Sequence, residues 1–205
     1  MTDGFGPDPV DAIDALTTRA SPSGLVAPAP DAPALDQMLR AAIRAPDHGR
    51  LRPWQFIIIE GAARDALGDV LAGALRRREP GIAEVAVAKE RAKPLRAPLI
   101  VVVAAKLREH RGVPPVEQVI AAGAAAQNML VAAHALGFGG FWRTGAPAYD
   151  DTVKGALGLR AQDAIVGFLY IGTPSGVPMT VTASDVASHV THWTAPIDHG
   201  AEKLS

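Results

Sequence analysis

The chain of 205 residues lacks cysteine altogether, which excludes disulfide bonds and thiolate chemistry. It also lacks an excess of either charge, because 20 basic and 21 acidic residues leave a formal net charge of −1. This balance argues against a nucleic-acid partner. No stretch approaches the roughly 18 consecutive apolar residues of a membrane span, and residues 1–9 have neither a basic residue nor the apolar stretch of a secretory signal. We therefore expect a cytoplasmic protein that binds neither nucleic acid nor a membrane.

Apolar residues, by contrast, make up 48% of the chain, and their spacing predicts one α+β domain. Short apolar runs predict a strand buried on both faces at 55–60, a second buried strand at 99–105 and a third strand at 164–172. Helices are predicted from Asp8-Pro9 to Arg19, from near Asp31 to before Pro46, and over 62–78, 115–136 and 151–157. We predict a single domain over residues 9–205, preceded by a disordered segment over residues 1–8.

Residues 44–54, Arg-Ala-Pro-Asp-His-Gly-Arg-Leu-Arg-Pro-Trp, connect a predicted helix to a predicted strand. A connection of this kind needs only a few turn residues, yet this one carries three arginines, a histidine and a tryptophan beside two prolines. Because proline fixes φ and restricts the residue before it, the loop is predicted to be stiff. Such loops often belong to binding sites. The alternative is a solvated basic turn in which Trp54 is the first core residue of the next strand.

Three further segments are candidates for ligand binding: one rich in glycine, and two that combine a cation with a hydroxylated residue. Gly-Phe-Gly-Gly at 137–140 follows a helix, whereas a dinucleotide-binding fingerprint places its glycines between a strand and a helix, so a helix cap and a turn are favoured. Trp-Arg-Thr-Gly at 142–145 suits a planar ligand that bears a phosphate. Arg-Ala-Ser at 19–21 ends the first helix with a cation and a hydroxyl, although on its own Arg19 is typical of a charge near a helix C-terminus.

The six histidines do not predict a metal site. His189 and His192 stand three residues apart, but no third ligand is placed by spacing, which favours a surface pair. Asp47 and His48 suit a proton relay, yet in a loop a turn-capping aspartate is the more common role. The chain has no Gly-x-Ser-x-Gly elbow and no Ser-x-x-Lys pair, which disfavours acyl transfer.

Four segments together resemble the nitroreductase family, and within it the branch of small, single-domain, YdjA-like NAD(P)H nitroreductases. They are Arg-Ala-Ser at 19–21, Arg-Ala-Pro-Asp-His at 44–48, Gly-Phe-Gly-Gly-Phe-Trp-Arg at 137–143 and Gly-Phe-Leu-Tyr-Ile-Gly-Thr-Pro at 167–174. The resemblance implies an α+β nitroreductase-like fold with a central mixed β-sheet flanked by helices. It also implies an intertwined homodimer with two FMN sites at the subunit interface.

The resemblance assigns expected roles to eight residues. Arg19 and Ser21, with Ala20 between them, would hold the phosphate and ribityl end of FMN. Arg44 and His48 would reach the flavin from the partner subunit. Trp142, Arg143 and Thr144 would line the isoalloxazine, with the backbone N–H of Thr144 or Gly145 near N5. Residues 132–137 match a stretch assigned to nicotinamide nucleotide binding in the branch, although a core helix is the alternative for them.

The activity implied by the resemblance is a ping-pong reaction. NAD(P)H would reduce the flavin by hydride transfer, and the flavin would reduce a nitroaromatic, a quinone or a similar planar acceptor. The flavin performs the redox step, so no catalytic side chain is expected. Ala20 departs from the usual Arg-Arg-Ser of the family, and no basic residue follows at 22–24. Each lost charge-assisted hydrogen bond costs about 1.5–3 kcal/mol, which predicts looser FMN binding. The alternative is a non-catalytic flavin-binding protein for storage or sensing.

Overall fold

The computed structural model describes residues 11–22, 24–177 and 184–194. Within them the α-helices are α1 (Ala12–Thr18), α2 (Ala32–Ala42), α3 (Ala63–Arg78), α4 (Glu84–Arg91), α5 (Pro115–Ala135) and α6 (Asp151–Ala156). The strands are β1 (Gly24–Val26), β2 (Trp54–Glu60), β3 (Leu99–Ala105), β4 (Gly139–Arg143) and β5 (Ala164–Ser175). Short 3-10 turns lie at His48–Arg50, Lys93–Arg96, Ala146–Tyr149 and Val186–His189.

Helix ends follow the capping signals of the sequence. Asp31 caps α2 by accepting a 2.9 Å hydrogen bond from the Ala34 N–H. Gly137 follows α5 with a φ of 82°, the left-handed conformation that a helix-ending glycine adopts. The N-cap of α1 is Asp11, which accepts a 2.8 Å hydrogen bond from the Ile13 N–H. The predicted start of the first helix at Asp8-Pro9 and the predicted disordered segment 1–8 lie outside the described residues.

β5 organises the sheet because three other strands pair with it. β3 pairs along it from Leu99↔Ile171 to Ala105↔Ala164, and β4 pairs from Gly139↔Gly172 to Arg143↔Phe168. β1 pairs with its last residues, and β2 extends the sheet on the far side of β3. The strand order is therefore β1-β5-β3-β2, with β4 attached to β5.

The family resemblance implies a mixed sheet, but the four pairings described are all antiparallel. The connections explain this difference. β2 ends at Glu60 and β3 begins directly opposite at Leu99, so α3 and α4 return the chain to the same end of the sheet from which it left. A chain that re-enters at the same end forms an antiparallel pair with the strand it left, whereas a parallel pair requires a crossover to the opposite end of the sheet.

Alternation along β3 divides the core into two layers. Leu99, Val101 and Val103 pack with α2 and α5 on one face, in a cluster that includes Met38 and Met129. The residues between them, Ile100, Val102 and Ala104, pack on the other face against side chains of α3 and α6, among them Leu67, Leu71 and Val153. All seven β3 residues are buried, as predicted. A central strand covered by helices on both faces needs this continuous apolar run.

β2 differs from its prediction as a strand buried on both faces. It forms the edge of the sheet in one chain, and Ile58 keeps 37% of its surface exposed. Trp54 begins β2 and packs against the core cluster on the α5 side. An apolar run alone does not distinguish a central strand from an edge strand, because the missing cover is a property of the tertiary arrangement.

Small residues bring β4 close to its neighbours. A Cβ on Gly140 would lie 2.5 Å from Leu130 Cδ2, and a Cβ on Gly139 would lie 2.7 Å from Leu25 Cδ2. Because only glycine allows such close packing, β4 is held tightly between α5 and the segment around β1. In the part of the chain that the structure describes, none of the helices combines the length and the apolar character that crossing a membrane requires.

Candidate functional site

The alternation of β4 separates two residues that are adjacent in sequence. The Trp142 indole N–H donates a 3.1 Å hydrogen bond to the Val166 carbonyl, and the ring packs where a Cβ on Gly167 would lie 2.1 Å from its Nε1. Trp142 thus belongs to the core layer on the α5 side. Arg143 points to the opposite face, where its guanidinium lies 4.1 Å from the centre of the Phe141 ring. The Trp142 indole anchors the strand. Arg143 faces a cleft that Trp142 also lines.

The cleft beside Arg143 has a volume of about 310 Å³ and combines an aromatic floor with charged walls. Phe141, Phe168 and Tyr170 supply aromatic surface from β4 and β5. Glu90, Lys93 and Arg96 supply charges from the end of α4 and the turn after it. The Arg143 guanidinium lies over this aromatic floor, because it is also 5.9 Å from the Tyr170 ring centre. Sequence analysis did not find Glu90, Lys93, Arg96 or Tyr170, because they approach β4 only through tertiary packing.

Glu90 brings an incompletely bonded carboxylate into this cleft. The residue is only 8% exposed, and its Oε2 forms a 2.5 Å ion pair with Lys93 Nζ. Its Oε1 is buried and has no hydrogen-bond partner among the described residues. A buried carboxylate oxygen without a donor is costly. This atom is therefore an available acceptor for an N–H or O–H group of a ligand.

Tyr170 is a neutral group at the base of the same cleft. Burial raises the pKa of its phenol above the ordinary value of 10.0, an effect that Arg143 and Arg96 reduce and Glu90 strengthens. Tyr170 therefore keeps its proton at physiological pH. With a neutral phenol, the charges in the cleft are three cations and one carboxylate, which gives an excess of positive charge.

The turn after β4 presents backbone donors to the cleft. The ladder between β4 and β5 ends at the Arg143↔Phe168 pair. Among the described residues, neither the Thr144 N–H nor the Gly145 N–H donates to a protein acceptor. Gly145 has a φ of 92°, a conformation that residues with a side chain rarely adopt. Two successive free N–H groups at a cleft edge can bind a ligand oxygen or nitrogen.

The segment 19–21 lies next to a neighbouring cleft. Arg19 Nη1 donates a long, 3.5 Å hydrogen bond to Ser21 Oγ. Ala20 and Pro22 line a cleft of about 380 Å³ together with Thr18, His134 and Ser175. Pro22 also lines a smaller cleft of about 240 Å³ with Arg143 and Tyr170. The structure thus brings the segment that contains Arg19 and Ser21 to the same side of the molecule as Arg143.

Arg44 and His48 lie elsewhere on the chain. They do not line the three clefts just described, as far as the described residues define them. His48 Nδ1 forms a 2.5 Å contact with Glu117 Oε2 near the start of α5. Within one protomer, Arg44 and His48 therefore do not contribute to the Arg143 cleft.

The loop that carries Arg44 and His48 has an unusual backbone. Gly49, Arg50 and Arg52 all have positive φ, at 72°, 54° and 48°. The Asp47 carboxylate accepts a 2.6 Å hydrogen bond from the Arg52 N–H, which closes the turn. Non-glycine residues adopt this conformation at an energetic cost and are often found at functional sites.

Other predicted residues are placed as follows. Residues 132–137 form the end of α5, where Ala133 is buried and His134 Nε2 is 2.9 Å from Thr18 Oγ1. His189 lies in an exposed 3-10 turn. In residues 11–22, 24–177 and 184–194, no three histidine or carboxylate side chains are grouped as metal ligands.

Known proteins resemble this chain in both sequence and fold. The model of the Nitroreductase family matches residues 16–173. A protein of Escherichia coli (strain K12) named "Putative NAD(P)H nitroreductase YdjA" is 44% identical over 186 residues, which cover 90% of this chain and 100% of that protein. A nitroreductase-like protein from Bacillus cereus has a similar fold, with a TM-score of 0.76 and 22% identity over 91% of this chain and 97% of that one. A solved nitroreductase in complex with FMN, from Desulfovibrio desulfuricans, superposes with a TM-score of 0.68 and 24% identity over 94% of this chain and 100% of that one.

Proposed function

The chain belongs to the nitroreductase family, a family of oxidoreductases, and from this premise we propose that it is a cytoplasmic, FMN-dependent NAD(P)H oxidoreductase. Its acceptors are nitroaromatics, quinones or similar planar oxidants, reduced in ping-pong order. The observation that carries the proposal is the Arg143 cleft, in which free backbone donors, cations and an unpartnered acceptor converge on an aromatic floor.

The groups in this cleft fit an isoalloxazine ring. The pyrimidine edge of a flavin has one N–H between two carbonyl oxygens, and Glu90 Oε1 is a buried acceptor without a donor. The carbonyl oxygens and N1 require donors, which Lys93 and Arg96 provide from the same wall. The free N–H groups of Thr144 and Gly145 suit the N5 side of the ring. We assign these five residues to the isoalloxazine, and we keep Trp142 as the anchor of the strand.

When bound, FMN supplies the redox chemistry by accepting a hydride from NAD(P)H and passing electrons to the acceptor. The protein supplies position and charge. The guanidinium groups of Arg96 and Arg143 favour negative charge in the cleft. Tyr170 stays neutral and adds no opposing charge, because burial raises its pKa. The packed aromatic floor excludes water from one side.

We assign the phosphate end of FMN to Arg19 and Ser21. Their mutual hydrogen bond is long, at 3.5 Å, so both groups have capacity for a ligand oxygen. The segment also leads through Pro22 to the cleft that Arg143 lines. Ala20 provides no charge, and Arg19 therefore carries a larger share of phosphate binding than in relatives with two adjacent arginines.

A homodimer completes the site in this proposal, because Arg44 and His48 would act on the flavin of the partner subunit. The contact between His48 and Glu117 places this loop beside the start of α5. Val116 and Ile120 on α5 are large apolar side chains that remain mostly exposed in one chain, as do Ile13 and Leu16 on α1, which packs against α5. A second copy of the chain is the partner that would cover this surface.

Separating the two half-reactions tests the enzymatic function. Under anaerobic conditions, one equivalent of NADPH or NADH should bleach the visible absorbance of the FMN-loaded protein. A nitroaromatic or a quinone added afterwards should restore the absorbance. A protein that binds FMN but is not bleached by either donor would instead be a storage or sensing protein. Failure to bind FMN at millimolar concentration would remove the central claim.

A further inference from the structure

The loop of residues 107–113, which follows β3, forms a wide depression on the surface. Its volume is about 640 Å³, and its walls include Leu107, Val113 and Pro115 as apolar surface and Arg108, His110 and Arg111 as polar surface. None of the residues assigned to the flavin lines this depression within the described chain. A hollow with one apolar wall and several donors suits a nucleotide better than an inorganic ion.

Buried polar side chains hold the start of this loop in place. Gln118, which is almost fully buried, accepts a 3.0 Å hydrogen bond from the Arg108 N–H and donates one of 2.8 Å to the Arg108 carbonyl. Asp163 accepts a 3.0 Å bond from the Leu107 N–H, and Arg160 Nη2 donates a 2.6 Å bond to the Leu107 carbonyl. Loops fixed in this way present their side chains with little loss of entropy on binding.

The cations on this loop are available for a ligand. Within the described residues, the guanidinium groups of Arg108 and Arg111 have neither an ion pair nor a hydrogen bond, and the loop carries one carboxylate, Glu109. The Gly112 N–H donates to His110 Nδ1 at 3.2 Å, which leaves the proton of the neutral ring on Nε2 as a further donor. Free cations on a fixed loop are typical of phosphate recognition.

The depression also lies next to the loop that contains Arg44 and His48. A Cβ on Gly49 would be 2.9 Å from Val113 Cγ2 and 3.9 Å from His110 Cε1, so the two loops are in contact. Arg50 and Arg52, which both have positive φ, lie in this neighbouring loop within three residues of Gly49. If Arg44 and His48 reach the flavin of the partner subunit, this depression lies beside that flavin.

We propose that residues 107–113 bind the phosphate-bearing adenosine half of the NAD(P)H donor, with Arg108 and Arg111 contacting its phosphates. This inference rests on the proposed function for the identity of the donor. The apolar wall of Leu107, Val113 and Pro115 would contact the adenine ring. The bound nucleotide would thereby direct its nicotinamide toward the flavin that the partner subunit holds. This assignment places the adenosine at the start of α5, whereas residues 132–137 lie at its other end.

The test is a double substitution, Arg108→Ala with Arg111→Ala, in the FMN-loaded protein. We expect the KM for NADPH and for NADH to rise about tenfold or more, while kcat at saturating donor and FMN content are unchanged. In a calorimetric titration, NADP⁺ should bind to the FMN-loaded wild type, and it should bind at least about tenfold more weakly to the FMN-loaded double variant. Arg77→Ala, which removes an exposed cation from α3, is the matched control and should leave both measurements unchanged.

The donor KM and the NADP⁺ titration distinguish a failure of the proposed enzymatic function from a failure of the proposed adenosine site at residues 107–113. If the wild type binds FMN but does not oxidise either donor, the proposed function fails, and the calorimetric comparison still decides the site. An unchanged donor KM in an active double variant would overturn the proposal. So would NADP⁺ binding that is equally strong in wild type and double variant, or absent in the wild type.

Discussion

At the residue scale, the proposed phosphate site depends most on Arg19, because Ala20 leaves it without a charged neighbour. We predict that Arg19→Ala weakens FMN binding by roughly 10–100-fold, the equivalent of one phosphate hydrogen bond of about 1.5–3 kcal/mol. The fold should be nearly unaffected, since among the described residues the Arg19 side chain makes a single, long hydrogen bond, of 3.5 Å to Ser21. Ala20 lines the adjacent cleft, so Ala20→Arg should tighten FMN binding. Calorimetric titration of both variants with FMN measures these effects. Unchanged affinity in both would mean that the phosphate of FMN is bound by other residues.

Asp163 illustrates how one buried carboxylate couples stability to pH. It is 1% exposed, and its burial raises its pKa, but hydrogen bonds from the Arg160 side chain and from the backbone N–H groups of Arg160 and Leu107 outweigh that effect and hold the pKa below 3.8. A lowered pKa in the folded state stabilises the protein above the pKa of the unfolded state, about 3.9, and this contribution is lost as pH falls through the lower, folded-state pKa.

We therefore predict that Asp163→Asn lowers the free energy of unfolding by about 1.5–3 kcal/mol at pH 7. The difference from the wild type should shrink when the same measurement is made at low pH, because the unfolded chain binds a proton at this carboxylate near pH 3.9, whereas the folded protein binds it only at lower pH. Urea unfolding at both pH values provides the comparison. A difference that is as large at low pH as at pH 7 would mean that side-chain shape, rather than charge, accounts for the effect.

At the scale of elements, the packing of α3 against α4 positions one wall of the Arg143 cleft. A Cβ on Gly68 would lie 2.3 Å from the Arg91 carbonyl oxygen, which directly follows Glu90. We predict that Gly68→Ala separates the two helices, lowers stability by about 1–3 kcal/mol and weakens FMN binding. Gly73 lies on the same helix, and a Cβ there would meet only Arg77 Nη1, at 3.5 Å. Gly73→Ala is thus the matched control and should raise stability by about 0.5–1 kcal/mol in thermal unfolding. Equal effects of the two substitutions would contradict close packing at Gly68.

Local signals in the sequence account for the elements that were predicted well. Asp31 and Gly137 are caps, and their neighbours are regularly spaced, so α2 and the end of α5 follow from local chemistry. The burial of β3 follows from its continuous apolar run. The edge position of β2 and the antiparallel pairing do not, because they depend on where the chain re-enters the sheet. A period of two or of 3.6 residues indicates an element but not its neighbours.

Some residues of the candidate site are likewise indicated by the local sequence, whereas others are brought in only by tertiary packing. Arg143, Thr144 and Gly145 stand together in sequence, and the resemblance singles them out. Glu90 lies near the end of α4 and Lys93 in the turn after it, well before Arg143 in the chain, and no local pattern indicates that Glu90 is buried. The opposite orientation of Trp142 and Arg143 follows only once 139–143 is known to be a strand, because side chains then alternate between two faces.

At the scale of the whole molecule, we predict a homodimer whose interface includes the exposed apolar face of α5. Ile120 is 64% exposed in one chain and lies one helical turn after Val116. Ile120→Asp should weaken dimerisation by at least about 100-fold, because it places an unpaired charge in an apolar interface. Val85 on α4 is also 64% exposed, and Val85→Asp should leave the dimer intact. Sedimentation velocity distinguishes these outcomes, and a folded wild-type monomer that binds FMN would contradict the shared site.

The central position of β5 has a consequence for the order in which the protein acquires its structure during translation. β1 and β4 both pair with β5, and β5 comes after both of them in the chain. While the ribosome synthesises residues 24–163, only the pairing of β2 with β3 is available among the four described. The cleft beside Arg143 therefore forms only after Ser175 has left the exit tunnel. A nascent chain that stalls before this point should remain sensitive to protease and unable to retain FMN.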